Sequence, residues 1–352
     1  MKLCFVIYSL GNGGAERVLT TLANYFSDKH SVSIVTFNDE KSFYPLYRSI
    51  NVHSIHGDAN SKNIPEALKN NFQNILKLKR IIEQEKPDVI ISFLTTSNIV
   101  SILAAKLANI PVIVSERSNY DFLSSKIWQM IRKTVYPLAD HLVVQSQYDL
   151  QKYSFVKNRS IIQNPLFFDE TQCTKKEKII LAAGRLDYIK GFDLLIEAYS
   201  KLQTDWKLLI VGEGAERKKL EQIIKDKKLK DKIQLPGRSE NMFEYYSKAS
   251  IFALSSRMEG FPNVLVEAMA CGCAVVAFDC KTGPSEIIEH GVNGLLVQDG
   301  NVDALSESIQ LLLEDEDLRH RLGSNAVTIQ KKLSKDSIAS QWLEVIQSVK
   351  KR

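Results

Sequence analysis

The stretch Glu259-Gly-Phe-Pro-Asn-Val-Leu-Val-Glu267-Ala sets two carboxylates eight positions apart, around a proline and a run of aliphatics. Pro262 suits the first turn of a helix, so the spacing predicts a helix from Asn263 to Ala270 with free amides near Asn263, Val264 and Leu265. Glu259 lies ahead of that helix, in a loop. The two carboxylates therefore need not share a face, and a general acid/base pair is not expected of them. Glu267, one turn in among Val264, Leu265, Ala268 and Met269, is expected to be partly buried. A buried carboxylate needs partners, and the hydroxyls of a ribose would serve.

A second stretch, "AAGRLDYIKGFDLLIEAY", sends Arg185 and Lys190 off the end of one strand to flank a turn that opens a helix near Phe192. Two cations placed together repel unless an anion sits between them. A diphosphate suits, with Arg185 offering a fork and Lys190 a point charge; a solvated helix start is the alternative. "IVGEGAERKKLE" repeats the strand-to-helix turn with Gly212 and Gly214, either a plain turn or a close backbone approach. "YSLGNGGAERVL" does so with Gly11, Gly13 and Gly14. As a dinucleotide fingerprint it lacks the third glycine, so a tight turn and a phosphate-facing loop both remain open.

These residues need a scaffold. Short β-branched runs ("LCFVIYSL", "SVSIVTF", "DVIISFL", "IPVIVSE", "HLVVQS") alternate with helical patterns, and they are near-continuously apolar, as parallel strands buried on both faces are. The rhythm restarts with "KIILAAGRL", "WKLLIVGEG", "KIQLPGR", "SIFALSS" and "CAVVAFD". A boundary is expected near Asn164-Pro165, before a polar linker from Phe168 to Lys178. The reading is two doubly wound α/β domains, 1–165 and 166–333, with a last helix over 334–352 packing back on the first. Ligands of such sheets bind beyond the carboxyl ends of the strands, which makes the cleft between the two halves the expected site.

The 352 residues are 44% hydrophobic and 25% charged, an ordinary globular composition. Residues 1–165 carry 19 Lys/Arg against 13 Asp/Glu, and residues 166–352 carry 27 against 28. The positive excess thus belongs to the first half, as suits an anionic membrane or phosphate partner. The opening run reads as a strand rather than a signal peptide. Ile99 to Val114, interrupted by Lys106 and Pro111, falls short of the roughly 18 to 20 apolar residues of a membrane span. The expected location is the cytoplasm or its membrane face. Cys4, Cys173, Cys271, Cys273 and Cys280 form no paired framework, and Cys271-Gly-Cys273 reads as buried small apolar residues rather than half a metal site.

Arg185 with Lys190, Gly212-x-Gly214 and the Glu259 to Glu267 motif, followed by "GCAVVAFDCKTGPSEII" and "GVNGLLV", resemble family 4 of the retaining glycosyltransferases, whose architecture is the two-Rossmann-domain GT-B fold. "GGAERVLTTLA" and "SERSNY" extend the likeness over nearly the whole chain. It is greatest to bacterial N-acetylgalactosamine transferases that extend sugars on polyprenyl diphosphate for N-glycans and surface polysaccharides. The resemblance implies a UDP-sugar donor, a polyprenyl-diphosphate-linked acceptor bound by the first domain, and a donor bound by the second. It implies that Arg185 and Lys190 hold the diphosphate, Glu267 binds the ribose and Glu259 meets hydroxyls of the transferred sugar. Amides near Val264 and Leu265 then cap a phosphate, and the Gly13-Gly14 loop closes over the donor. In the front-face mechanism so implied, the donor phosphate accepts the acceptor's proton, and no protein base is assigned. No metal or other cofactor is expected, because the cation pair supplies the charge and no D-x-D-like pair suggests a divalent ion.

One departure stands out. Many relatives have a histidine where this chain has Arg117, in Glu116-Arg117-Ser118. Arg117 is a candidate for stabilising the departing diphosphate or binding acceptor; alternatively Glu116 makes an ion pair with another residue. Two basic, apolar segments are candidates for an anionic membrane or a lipid diphosphate. One holds Phe72, Ile75, Leu76 and Leu78 among Lys69, Lys77, Lys79 and Arg80. The other holds Ile127, Trp128 and Met130 with Lys126, Arg132 and Lys133; both also read as ordinary helices packed on a sheet. A nucleic-acid partner is not expected. A nucleotide-sugar epimerase and a non-catalytic sugar-binding protein are the competing functional classes.

Overall fold

The computed structural model describes residues 1–57, 64–168 and 175–350, and the chain divides into two compact units, 1–165 with 334–352 and 166–333. In chain order the first unit contains β1 (Lys2–Ile7), α1 (Gly14–Ser27), β2 (Ser31–Thr36), β3 (Asn51–Ser54), α2 (Ile64–Glu85) and β4 (Val89–Phe93). It continues with α3 (Thr95–Ala108), β5 (Val112–Ser115), α4 (Lys126–Val135), β6 (His141–Val144), α5 (Gln147–Lys152) and β7 (Arg159–Ile161). The second unit contains β8 (Glu177–Ala183), α6 (Phe192–Tyr199), β9 (Lys207–Val211), α7 (Arg217–Asp226), β10 (Ile233–Gly237), α8 (Met242–Lys248) and β11 (Ala249–Leu254). Then come α9 (Asn263–Ala270), β12 (Ala274–Asp279), β13 (Leu295–Gln298), α10 (Val302–Glu314), α11 (Glu316–Ala326) and α12 (Ile329–Lys332). The last helix, α13 (Lys335–Lys350), belongs to the first unit and packs on α1, β4 and β5.

Each unit is built on one parallel sheet, ordered β3-β2-β1-β4-β5-β6-β7 in the first and β10-β9-β8-β11-β12-β13 in the second. The order reverses between β1 and β4 in one and between β8 and β11 in the other, and the turns beyond those pairs are where such sheets receive ligands. The central strands explain themselves: β4 and β11 are buried at every position, so their side chains are apolar almost throughout. The strands that the apolar runs do not reveal are β3, β7 and β13. All three lie at sheet edges, and β3 and β7 have no fully buried position, so nothing forces their sequences to be continuously apolar.

The first core gathers Val6, Val35, Ile90, Ile102, Val114 and Tyr136, and the second Ile180, Leu195, Ile210, Val276 and Leu312. Trp342 of α13 is fully buried and stacks on Phe93, at the end of β4, with ring centroids 5.8 Å apart. Burying one side chain of this size contributes about 3 kcal/mol, which holds the terminal helix to the sheet.

Candidate active site

In the second unit the turns beyond β8 and β11 meet. The Lys190 ammonium donates to Glu259 Oε1 at 2.7 Å, and Ser256 Oγ donates to the same oxygen at 2.6 Å. The lysine side chain is 22% exposed and the glutamate only 6%. Removing one partner of a pair this deep costs about 3–5 kcal/mol, because the other is left charged and buried. Arg185 has its own carboxylate: its Nε lies 2.7 Å from Asp187 Oδ2, while Asp187 Oδ1 accepts from the Lys190 amide at 3.2 Å. Each cation thus already has an acidic neighbour, so the pairing of Arg185 and Lys190 on one turn does not by itself call for a bound anion. Asp187 separates them and leaves Arg185 largely exposed.

The turn carrying Lys190 is clamped from β11. Gly191 has φ +63°, and a Cβ there would lie 2.1 Å from the Ser255 carbonyl, so only glycine allows this approach. Ser255 Oγ donates to the Lys190 carbonyl at 3.0 Å. Arg257 forks onto Asp193 at 2.8 and 2.7 Å, donates to the Tyr188 carbonyl at 2.7 Å and covers the Tyr188 ring. Burial works to raise the Asp193 pKa, but the Arg257 hydrogen bonds and charge overcome it and hold the carboxyl below its ordinary value.

Helix α9 starts after Pro262, but its first amides are mostly engaged. Asn263 N donates to the Phe261 carbonyl and Leu265 N to the Pro262 carbonyl, both at 3.0 Å. Val264 N is the one of the three with no partner in the turn, because a tight turn consumes its neighbours. Glu267 is 5% exposed and accepts from the Tyr246 hydroxyl at 2.9 Å. Gly212 answers to a neighbouring backbone: a Cβ there would lie 1.8 Å from the Gly184 carbonyl, and one at Gly214 would lie 2.3 Å from that of Leu186. Both glycines thus let the turns after β8 and β9 stack.

In the first unit, Gly13 precedes α1 with an ordinary φ of −77°. A side chain on Gly13 would meet the Glu16 carboxylate, which folds back over the start of α1. Burial raises the Glu16 pKa, its own backbone hydrogen bond opposes this, and the nearby Glu40 adds to the rise. The Gly13-Gly14 loop is therefore flanked by acid in this structure. Arg117 is buried beyond β5, donating to the Ile162 carbonyl at 3.0 Å and Asn164 Oδ1 at 3.1 Å. Its guanidinium carbon lies 5.4 Å from the ring centroids of both Phe93 and Trp342. Its Nε and Nη2 meet no acceptor among the described residues, and burial pushes its pKa down to about 9. Glu116 makes no ion pair among the described residues; it accepts from Tyr136, from Thr95 at 3.0 Å and from Asn98 at 3.4 Å. The reading of Glu116 as an ion-pair partner is corrected on this geometry, and Arg117 is held by scaffold groups on one side with Nε and Nη2 unpaired among the described residues. Two aromatic faces and a row of hydroxyls take these charges into the scaffold.

Comparison with known proteins decides the family. The Glycosyltransferase Family 4 model matches residues 12–157, and the Glycosyl transferases group 1 model matches residues 164–328. A Campylobacter jejuni enzyme, named as an alpha-1,4-N-acetyl-D-galactosaminyltransferase for a diNAcBac-PP-undecaprenol-linked saccharide, is 34% identical over 99% of each chain. The chain belongs to the family 4 glycosyltransferases. A second C. jejuni enzyme, an N-acetylgalactosaminyltransferase named for a diphospho-undecaprenol-linked substrate, is 33% identical over 98% of this chain and 99% of its own. Among solved structures, Anabaena Alr3699/HepE in complex with UDP and glucose superposes with a TM-score of 0.80 at 21% identity, covering 99% of this chain and 100% of its own. Sucrose-phosphate synthase from Thermosynechococcus elongatus gives 0.83 at 20% identity, over 99% and 98%. At those identities the likeness carries the GT-B fold, and the comparisons lend the epimerase alternative no support.

Within this glycosyltransferase the second unit brings Lys190 and Glu259 into contact, with Arg185 on the same turn as Lys190 and Glu267 on the helix that follows Glu259. Several supporting residues escape sequence reasoning: Ser256, Tyr246, Asp193 and Arg257, and Thr282, whose hydroxyl donates to the Glu259 carbonyl. Ser256 and Arg257 stand three and two positions ahead of Glu259, and Asp193 three after Lys190, so a local signal existed for them; Tyr246 and Thr282 come from other elements and had none. No group of three or more His, Cys, Asp or Glu among the described residues is placed to hold a metal. Cys4, Cys271, Cys273 and Cys280 are free and buried, and Cys173 lies outside the described residues.

Proposed function

We propose that this glycosyltransferase moves an N-acetylhexosamine or hexose, N-acetylgalactosamine favoured, from a UDP-sugar to a polyprenyl-diphosphate-linked saccharide in bacterial surface-polysaccharide or glycan synthesis. The reaction retains configuration and needs no metal. The 34% and 33% identical relatives named for such acceptors support the substrate class. The observation that carries the chemistry is the Lys190–Glu259 pair at the point where the second sheet reverses its strand order.

In this reading residues 166–333 bind the donor and 1–165, with the terminal helix, the acceptor. Cleaving the glycosyl phosphate bond builds negative charge on UDP while the sugar becomes oxocarbenium-like. Lys190 and Arg185 face that charge, and removing one such preorganised group costs roughly 3–4 kcal/mol of barrier. Glu259 Oε1 holds the Lys190 ammonium in place, while its Oε2, without a partner among the described residues, is left for a sugar hydroxyl. Glu267, steadied by Tyr246, takes the ribose hydroxyls, and the Val264 amide faces a phosphate. Gly13 and Gly14 are assigned to the donor, and Gly212 to the turn that shapes its site. The donor phosphate receives the acceptor's proton, so no protein base is assigned.

A lipid acceptor also implies peripheral contact with an anionic membrane from the cytoplasmic face. No helix among the described residues is long and apolar enough to cross a bilayer. The test is UDP release from a panel of UDP-sugars with EDTA present, with and without a polyprenyl-diphosphate-linked mono- or disaccharide. Release with one donor only when the lipid-linked saccharide is added supports the reading. Release that needs a divalent ion overturns metal independence, and donor converted without acceptor restores the epimerase. An inverted anomeric centre in the product, read by NMR, overturns retention.

A further inference from the structure

Twelve large apolar side chains are exposed among the described residues; nine belong to the first unit, and four of those, Phe122, Ile127, Met130 and Leu138, fall within one short segment around α4. Scattered apolar exposure needs no explanation, but a cluster does. Helix α4 has two apolar faces. Trp128, Ile131 and Val135 point inward and pack against the first core. Arg132 also turns inward, fully buried over the Tyr120 ring and donating to the Tyr153 hydroxyl at 3.1 Å. The outer stripe, Ile127, Met130 and Thr134, recurs at helical spacing, with Ile127 56% and Met130 62% exposed. Lys126 and Lys133, one flank over, are exposed as well. No acidic residue occurs between Phe122 and Leu138.

The second basic segment behaves differently. In α2, Leu78 is fully buried, Lys77 donates to the His56 carbonyl and Lys79 pairs with Glu83, which leaves Phe72 as the exposed large apolar residue of that helix among the described side chains. The two segments look alike as sequence, but among the described side chains it is α4 that carries two large apolar residues on one exposed stripe.

We infer that the outer face of α4, with Phe122 ahead of it and Leu138 behind, is the surface by which this enzyme lies on an anionic lipid bilayer. Ile127 and Met130 enter the acyl boundary, while Lys126 and Lys133 meet the headgroup phosphates. The charge argues for this occupant: helix α4 has flanking lysines and no carboxylate of its own, and the nearby Asp121 accepts from the Tyr148 hydroxyl, which suits a negative, apolar-backed surface. Helix α4 starts just beyond the carboxyl end of β5, on the sheet edge where such folds receive ligands, so a lipid-borne acceptor would reach the first unit from the surface that the helix rests on. The inference rests on the lipid-linked acceptor reading.

Flotation of the full-length enzyme with phosphatidylglycerol-rich vesicles tests it, with phosphatidylcholine vesicles and high salt as controls. Wild type is expected to float with the anionic vesicles at low salt, and the Ile127→Ser, Met130→Ser double variant to lose about tenfold in bound fraction. The Lys126→Gln, Lys133→Gln variant should lose the salt-sensitive part, and Leu311→Ser, an exposed apolar residue of the second unit, should change nothing. Wild type that fails to float, α4 variants that float normally, or a concentration-dependent dimer that the double variant abolishes each overturn the proposal. Transfer to a short-chain, water-soluble acceptor is measured in parallel. Activity there with no flotation would sink the docking face alone, whereas no transfer to any lipid-linked acceptor would sink the functional reading beneath it.

Discussion

Each unit buries opposite charges beyond the carboxyl end of a central strand, and the two units treat them in opposite ways. In the second, Lys190 and Glu259 are 2.7 Å apart and pair with each other where the sheet order reverses. In the first, Glu116 and Arg117 are chain neighbours that do not pair: hydroxyls and an amide take the carboxylate, and a carbonyl, an amide and two aromatic faces take the guanidinium. A paired charge beside a ligand-receiving turn is poised to trade its partner for substrate. Charges held separately among scaffold groups can be traded only by disrupting packing. Charge composition at a strand end thus does not disclose whether chemistry happens there; the identity of the partner does.

The comparison breaks most sharply at Lys190. Lys190→Ala should lower kcat about 100-fold or more, with a folded protein by circular dichroism. Unchanged turnover at saturating donor would remove Lys190 from the diphosphate and reduce the pair to a structural one. At Arg117 the effect should fall on stability instead. Arg117→Ala, which opens a cavity between Phe93 and Trp342, should cost about 2–3 kcal/mol in urea unfolding. Arg117→Met, which fills the space without burying a charge, should stay within about 1–1.5 kcal/mol of wild type. Both variants should keep kcat within a few-fold, and a collapse of kcat in folded Arg117→Met would return Arg117 to the chemistry.

Smaller again is Glu267→Ala, expected to raise the donor KM about tenfold, roughly 1.4 kcal/mol, with little change in kcat. An unaffected KM for the donor would detach Glu267 from the nucleotide and leave it a structural residue beside Tyr246.

How far the sequence discloses this contrast depends on how local each feature is. The span of α9, the strand ahead of Glu259 and the turn carrying Lys190 are set by residues within a few positions of one another, and local pattern reveals them. The Lys190–Glu259 contact joins residues 69 apart, so the spacing of the two carboxylates could not show it; family resemblance placed them near one ligand without supplying the salt bridge. Arg117 was opaque for the same reason. Phe93 and Trp342, which enclose it, lie on β4 and α13, and no local signal tells a guanidinium aimed at solvent from one slid between two rings. The edge strands β3 and β7 escape because they have no fully buried position and so no apolar run to detect, and β13 because its run, Leu295 to Val297, is only three residues long. Helix α4 shows the limit from the other side: its basic and apolar residues are plain in the sequence, but which of them face outward is fixed by the packing of Trp128, Ile131 and Arg132.

The smallest expected effect concerns the carboxylate of the first pair. Burial raises the Glu116 pKa above its ordinary 4.5, while hydrogen bonds from Tyr136, Thr95 and Asn98 and the charge of Arg132 pull the other way without cancelling it. A carboxyl raised on folding takes up its proton in the native state at a pH where the unfolded chain is still ionised. Its contribution to stability is therefore fully present below about 4.5 and is lost as pH rises through the folded-state value. Glu116→Gln has no proton to exchange there and lacks this dependence. The Tm of wild type relative to Glu116→Gln should thus be highest in acid and decline toward neutral pH, because the other carboxyls titrate alike in both proteins. A relative Tm that instead rises toward neutral pH would mean that the hydroxyl partners and Arg132 outweigh burial. Glu116 would then be a carboxylate held by its neighbours, and the contrast between the two strand ends would narrow to Arg117 alone.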